Sequence, residues 1–342
     1  MEQLIITKEK LPTMLDELAK EYNLIAPVEE NDYSTFLQIE KAEEMNLDFL
    51  LSRIPAKKLL FDQTETLFKF KPGKKGEIIS REFSKEESVV FGIRPCDARS
   101  FSILDPVFQG DFKDPIYNTN RTNNILLGLS CNKPDINCFC TSFDDSPASA
   151  NNVDILFTDL GDNYFVEVVT ERGKSLISKV NKLFSTGSKS DEEAKNDIEK
   201  KAIDSITRQM KLDGVVLNLD KMFDHEIWHN TAFKCIGCGI CTYLCPTCHC
   251  FDIQDESTLR EGARVRIWDS CMNPEYTHHA SGHNPRPARM NRVRNRVYHK
   301  FSYFPKNSEI FACTGCGRCI DYCPVNIDII DTISKVGEIK ID

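Results

Sequence analysis

No stretch of this 342-residue chain comes near the run of about eighteen apolar residues that a membrane-spanning helix needs, so no span is expected. The first residues, Met1-Glu2-Gln3-Leu4-Ile5-Ile6-Thr7, lack the basic region and apolar core of a signal peptide, and the expectation is a cytoplasmic chain. No Gly-rich dinucleotide fingerprint follows a predicted strand, and no Walker-type phosphate loop occurs, so neither NAD nor ATP is expected to bind here. Positive charge is also in short supply. Lys and Arg total 43 against 52 Asp and Glu, a formal charge of −9, which disfavours nucleic acid as a partner because phosphate binding needs a basic face.

Cysteine, by contrast, is abundant: fifteen residues in a chain of ordinary hydrophobic (41%) and charged (28%) content. In a chain without an export signal these are poor candidates for disulfides, since the cytosol keeps thiols reduced. They read better as metal ligands, and the expectation is an oxygen-sensitive metalloprotein. The length suggests two domains as a soft prior.

Eight of the cysteines fall in two copies of one pattern. Cys235-Ile236-Gly237-Cys238-Gly239-Ile240-Cys241-Thr242-Tyr243-Leu244-Cys245-Pro246 has the same spacing as Cys313-Thr314-Gly315-Cys316-Gly317-Arg318-Cys319-Ile320-Asp321-Tyr322-Cys323-Pro324. This is the C-x2-C-x2-C-x3-C-P run of two-cluster bacterial ferredoxins. Three thiolates on a tight glycine-containing loop reach three irons of one cube, while the fourth ligates the other cluster. One [4Fe–4S] cluster is thus expected on Cys235, Cys238, Cys241 and Cys323, and a second on Cys313, Cys316, Cys319 and Cys245. Structural zinc also takes four thiolates, but usually from two separated C-x2-C pairs. The run ending in Cys-Pro favours iron–sulfur clusters and electron transfer.

Seven cysteines remain. Cys96 follows the apolar run Ser88–Ile93, and Cys131 follows the run Asn124–Leu129. Both runs read as strands buried on both faces. The segment Ala98–Phe108 between them fits a helix, giving a βαβ-like unit. If the strands are parallel neighbours, both thiols lie at one sheet edge. Cys138 and Cys140 on the next loop then complete a candidate site for a third [4Fe–4S] cluster; the alternative is buried free thiols, a common fate for cysteine. Cys248, Cys250 and Cys271 stay unassigned, since with His249 they offer only a weak zinc pattern and equally suit packing around the cubanes.

Further elements can be read from periodicity. Leu11, Leu15, Leu18, Ala19 and Tyr22 predict an amphipathic helix, and Thr64–Phe70 a strand before a Pro72-Gly73 turn. Residues 153–170 predict a hairpin turning at Gly161-Asp162-Asn163. The polar stretch 186–213 predicts a surface helix with Ser190 and Glu193 as a capping box and a stripe of Ile198, Ala202, Ile206 and Met210. The two motifs are separated by 67 residues, counted between Cys245 and Cys313, far more than a compact β-type ferredoxin allows. Helical periodicity around Met290, Val293 and Val297 points to the all-helical variety. The expected fold is therefore α+β: an N-terminal α/β domain at 1–217, the candidate holder of the extra cluster, and a helical two-cluster ferredoxin domain at 218–342.

Between Glu275 and Glu309 no acidic residue occurs, whereas Arg286, Arg289, Arg292, Arg294, Arg296, Lys300 and Lys306 do. This basic stretch suits an acidic partner surface, or compensation of thiolate-ligated clusters, or simply a solvated helix face.

At these residues the chain resembles the iron–sulfur subunits of anaerobic reductase and hydrogenase complexes, namely the 4Fe-4S dicluster subunit of anaerobic sulfite reductase and the β subunit of cytoplasmic sulfhydrogenases. The matching segments are Gly92-Ile93-Arg94-Pro95-Cys96-Asp97-Ala98, Asn137-Cys138-Phe139-Cys140, Cys245-Pro246-Thr247-Cys248-His249-Cys250-Phe251, Trp268-Asp269-Ser270-Cys271, Asn284-Pro285-Arg286 and His299-Lys300. They cover most of residues 88–330. The resemblance implies electron relay between a flavin subunit that oxidises NAD(P)H and a terminal reductase or hydrogenase subunit, with chain length leaning toward the sulfite reductase type. The alternative from the enzyme class is a self-contained reductase with an open iron site. Two complete four-thiolate sets leave no open iron in the ferredoxin pair and favour the relay.

Overall fold

A computed structural model describes residues 2–71, 76–83 and 86–339; the expected Pro72-Gly73 turn lies outside them. In chain order its strands are β1 (Glu2–Thr7), β2 (Asn23–Glu30), β3 (Tyr33–Ile39), β4 (Thr64–Lys71), β5 (Glu77–Ser80), β6 (Ser88–Ile93), β7 (Asn124–Leu129), β8 (Ile155–Asp159), β9 (Asn163–Val168), β10 (Ser185–Thr186), β11 (Phe251–Ser257) and β12 (Gly262–Trp268). Two compact units emerge. The first comprises Met1–Ala56, Lys85–Gln209 and Cys313–Gly317; the second comprises Lys57–Ser84, Met210–Ala312 and Arg318–Asp342.

The first unit is built on an eight-stranded mixed sheet in the order β10-β1-β9-β8-β7-β6-β2-β3. Its centre is parallel: β2 pairs with β6, β6 with β7, and β7 with β8. Every residue of β7 is buried, and five of the six in β6, because both sheet faces are covered. Helix α1 (Lys10–Leu18) turns Leu11, Met14, Leu15 and Leu18 into a core shared with Phe91, Leu127 and Phe157, the i, i+3, i+4, i+7 spacing of one helical face. The β6-to-β7 crossover runs through α2 (Pro95–Phe108) and α3 (Pro115–Asn123), the latter capped by Asp114, which accepts from Tyr117 N at 2.8 Å. Strands β8 and β9 form the expected hairpin. Helix α4 (Glu171–Val180) follows β9 and adds Leu176, Ile177 and Val180 to the core.

Helix α5 (Lys189–Ser205) differs in detail from its sequence reading. The capping box uses Ser188 and Asp191, with Ser188 Oγ accepting from Asp191 N at 3.2 Å and Asp191 Oδ2 accepting from Ser188 N at 2.9 Å. The helix also stops at Ser205, so Ile206 and Met210 are buried beyond it rather than along its stripe.

The second unit carries a four-stranded antiparallel sheet, β11-β12-β4-β5, beside seven helices among the described residues: α6 (Val215–Lys221), α7 (Ile227–Ala232), α8 (Ile240–Tyr243), α9 (Arg289–Tyr298), α10 (Phe304–Ser308), α11 (Arg318–Asp321) and α12 (Ile329–Glu338). A π-helical turn, His299–Tyr303, continues α9. The expectation of an all-helical ferredoxin domain is therefore corrected: the segment between the two motifs contributes β11 and β12. They hold because β12 also pairs with β4, where buried Arg266 donates to buried Glu65 from Nη2 at 2.7 Å and Nε at 3.0 Å. That pair sits among the rings of Phe61 and Phe251, 5.1 and 5.3 Å from the guanidinium.

Candidate metal centres

The first motif starts where α7 ends. Cys235 N donates to Ala232 O at 3.0 Å, and the chain then loops through Cys238 into the single turn of α8. Cys235, Cys238, Cys241 and Cys323 all line one cavity in the second unit, with Cys319 also on its wall. Its apolar lining includes Ile236, Met272, Val293, Val297 and Ile329. Two thiols already accept backbone donors, Cys235 Sγ from Gly237 N at 3.4 Å and Cys323 Sγ from Ile327 N at 3.2 Å. Hydrogen bonds of this kind stabilise electron-rich sulfur and help set a cluster's reduction potential. Among the described residues no three His, Cys, Asp or Glu side chains meet closely enough to hold a single metal ion. The thiols stand around the walls of the cavity.

The same cavity wall holds Arg296, which is buried yet pairs with no carboxylate among the described residues. Its Nε and Nη2 donate to Cys241 O at 3.3 and 3.2 Å. Burial works against its charge, but Cys241, Cys319, Cys248 and Cys245 outweigh that and hold the guanidinium even more firmly protonated than usual. An unpaired buried cation costs several kcal/mol in the absence of a counter-charge. A cavity lined by five thiols and such a cation fits an anionic cluster.

The rest of the basic stretch is folded inward too. Arg292 donates to the carbonyls of Arg286 and Pro287 at 3.1 and 2.7 Å. Arg294 lies 3.6 Å over the Phe223 ring and donates to Phe223 O at 2.6 Å. Arg289 is exposed, but its Nη1 bonds Cys235 O. Arg292, Arg294 and Arg296 are buried, so the acidic-partner reading of this stretch does not hold for them; they clamp backbone carbonyls, two of the helix's arginines on the first motif itself.

Cys245 closes the first motif and meets a different cation. Lys300 Nζ lies 3.2 Å from Cys245 Sγ and also donates to Thr247 Oγ1 and Ala312 O, each at 2.9 Å. A hydrogen bond from Cys248 above all, then Lys300 and Arg296, hold the Cys245 thiol well below its usual range against the effect of burial. Lys57 Nζ donates to Cys248 O at 2.7 Å and sits 4.1 Å from the Trp268 ring. Burial pushes its pKa down to about 8, partly resisted by Cys248 and Cys245.

The three unassigned cysteines turn out to be neighbours of these groups, a proximity that their spacing in the chain does not reveal. Cys248 bonds Cys245, while Cys250 bonds Cys271 and the Tyr276 hydroxyl. The strand register accounts for the second contact: Phe251 faces Trp268, and Asp269 N donates to Cys250 O at 2.9 Å, bringing Cys271 alongside. The Nδ1 of His249 lies 3.1 Å from Thr247 O, and its ring meets that of His299 edge-on at 5.1 Å.

In the first unit, parallel pairing of β6 and β7 puts Cys96 and Cys131 at one sheet edge, Cys96 in the first turn of α2. Buried Arg94 ties the loops there, donating to Ser130 O at 2.7 Å, Phe49 O at 2.7 Å and Leu50 O at 3.1 Å. Cys131, Cys138 and Cys140 are buried together: burial raises all three thiols, Cys140 to about 12, and Cys131 adds to the rise of both Cys138 and Cys140. Such thiols stay protonated until a metal displaces the proton. Cys316 is among the charges acting on Cys138.

The second motif's loop seats directly on this segment. Phe139 N donates to Gly315 O at 2.8 Å. Gly315 has φ +67°, and a Cβ there would fall 2.5 Å from Cys140 N and Phe139 C; Gly317, at φ +79°, would meet Asn137 O at 2.8 Å. For a residue with a side chain the left-handed region costs about 1–2 kcal/mol before any clash is counted. Gly315→Ala is therefore expected to lift the loop off Asn137–Cys140, with a lowered melting temperature and reduced iron retention after anaerobic gel filtration. Wild-type iron and melting in this variant would show that the seat is dispensable.

Comparison with known proteins agrees with this geometry. The 4Fe-4S dicluster domain family matches residues 234–327, a span that contains all eight cysteines of the two motifs. The chain is also 30% identical over 331 residues to sulfhydrogenase 2 subunit beta of Pyrococcus furiosus, covering 96% of this chain and 97% of that protein. The match reaches from one end to nearly the other, well past the motifs. A two-cluster [4Fe–4S] domain thus occupies residues 234–327, and the chain belongs to the family of 4Fe-4S dicluster proteins that includes the sulfhydrogenase β subunit.

Proposed function

We propose that this chain is an electron-transfer subunit relaying electrons between two partners, a flavin-containing, NAD(P)H-oxidising subunit on one side and a terminal reductase or hydrogenase subunit on the other. The observation that carries the reading is the cavity on which Cys235, Cys238, Cys241 and Cys323 converge with buried Arg296. These four cysteines would hold one cubane. By the ferredoxin pattern, Cys313, Cys316, Cys319 and Cys245 would hold the other. Cys96, Cys131, Cys138 and Cys140 would hold a third. A bound cubane supplies one-electron storage at a potential that the protein tunes. The chain's own groups do the rest. Val293, Val297 and Ile329 keep water from the sulfurs, the backbone N–H groups of Gly237 and Ile327 donate to them, and Arg296 and Lys300 offset their charge.

The relative's name supports a hydrogenase as the terminal partner, and the match covers 96% of this chain and 97% of that protein, so chain length does not favour the sulfite reductase kind. The competing reading, a self-contained reductase, predicts turnover by the chain alone. Anaerobically reconstituted protein is expected to be reduced by a reduced flavoprotein, seen as bleaching of its visible charge-transfer absorption, with no consumption of sulfite and no hydrogen evolved. Turnover of either substrate by the isolated chain would replace the relay with an enzyme.

A further inference from the structure

We infer that Arg296 and Lys300 are positioning residues that set the reduction potentials of the two dicluster-domain cubanes to different degrees, Arg296 acting most on the cluster of Cys235, Cys238, Cys241 and Cys323 and Lys300 most on the cluster that takes Cys245. This rests on the ligand reading above and adds to it a division of labour between two cations.

The two residues stand four apart on α9 and the π-helical turn that continues it. Both are buried, Arg296 at 9% exposure and Lys300 at 3%. Arg296 is on the cavity wall with the first set of thiols, fixed by its two donors to Cys241 O and paired with no carboxylate among the described residues. Lys300 points at one sulfur, Cys245 Sγ at 3.2 Å, and Thr247 Oγ1 and Ala312 O hold its ammonium in place. Thr247 is itself fixed by donating to Ala312 O at 2.7 Å, so the ammonium cannot swing away without breaking a connected network.

The consequence follows from charge. A cubane with four thiolates is anionic and gains one more negative charge on reduction. A fixed cation therefore stabilises the reduced form more than the oxidised form and raises the potential. In a dry site this effect is large, because Coulomb energy grows as the effective dielectric falls. The lysine adds a direct N–H···S bond, which favours the more electron-rich sulfur of the reduced state. The arginine contacts a ligand's carbonyl and not its sulfur, so its influence is that of charge alone. Two cations on one helical face, held nearest to ligands of different clusters, give the pair unequal potentials.

The test is an EPR-monitored redox titration of the full reconstituted chain and four variants, with signals assigned from Cys323→Ser, which lacks the first cluster. Arg296→Gln is expected to retain its iron and to move the first cluster's signal further than the second's, by at least a tenfold loss in the reduction equilibrium, about 59 mV downward for one electron. Lys300→Gln is expected to move the second signal downward further than the first. Arg296→Lys and Lys300→Arg keep the charge and should stay close to wild type. Unmoved potentials in both Gln variants at full iron content would overturn the inference. So would loss of iron in the charge-conserving variants, which would make these residues structural supports. Absence of any [4Fe–4S] signal from the wild-type chain is a different outcome, striking at the ligand reading itself.

Discussion

Replacing Cys138 and Cys140 with Ser is expected to lower iron from about twelve to about eight per chain, the loss of one four-iron cubane, and to remove one paramagnetic signal. The argument joins sequence placement to packing. Cys131 follows β7, Cys96 opens the helix after β6, and the two strands are parallel neighbours. Cys131, Cys138 and Cys140 are buried together, with thiols that burial holds in the protonated form. Metal binding releases such protons, so the free energy of the cluster replaces the cost of burying thiolates. Because the loop Cys313–Gly317 sits on Asn137–Cys140, the Ser variants keep the backbone seat while losing the ligands. A wild-type chain that saturates at about eight irons, the content of two cubanes, would mean that the N-terminal thiols are not a cluster site and that the relay has two stations.

The second large effect belongs to Cys323. If the fourth cysteine of each motif serves the other motif's cluster, Cys323→Ser and Cys235→Ser should abolish the same signal, and Cys313→Ser a different one. Each variant should lose about four irons, one cubane's worth. The cavity that places Cys323 with Cys235, Cys238 and Cys241 is the reason to expect this crossing. With that cluster gone, reduction by a flavoprotein should slow sharply or stop at a partial level, since a station of the relay is missing. Shared loss in Cys323→Ser and Cys313→Ser would instead assign each motif its own cluster.

Much of this was legible in the sequence, for identifiable reasons. The runs Ser88–Ile93 and Asn124–Leu129 declared themselves because strands buried on both faces must be apolar throughout. The cysteine spacing declared itself because cluster geometry leaves little freedom. Strand β11 did not. It reads Phe-Asp-Ile-Gln-Asp-Glu-Ser, almost wholly exposed, and pairs by backbone bonds and by the fork of Arg264 on Asp255 at 2.7 and 2.8 Å. Hydropathy carries no trace of either. The arginines of α9 misled in the opposite way. The helical spacing of Met290, Val293 and Val297 was readable, but a sequence scored by hydropathy places arginine outside. Here the guanidinium groups find backbone carbonyls, and Arg292, Arg294 and Arg296 go in with the valines. An acid-free stretch beside cysteine motifs was the available clue.

The seat of Gly315 on Phe139 also bears on how the protein is made. The first unit draws its sheet from the early part of the chain but takes Cys313–Gly317 from far downstream. A contact of such long sequence separation forms late, because the intervening loop must close before the contact can form. During synthesis the sheet can assemble while the segment Asn137–Cys140 still lacks the loop that packs on it. On the three-cluster reading, iron would have an open interval for reaching the N-terminal thiols before the ribosome delivers residue 317, and the arrival of the second motif would close it.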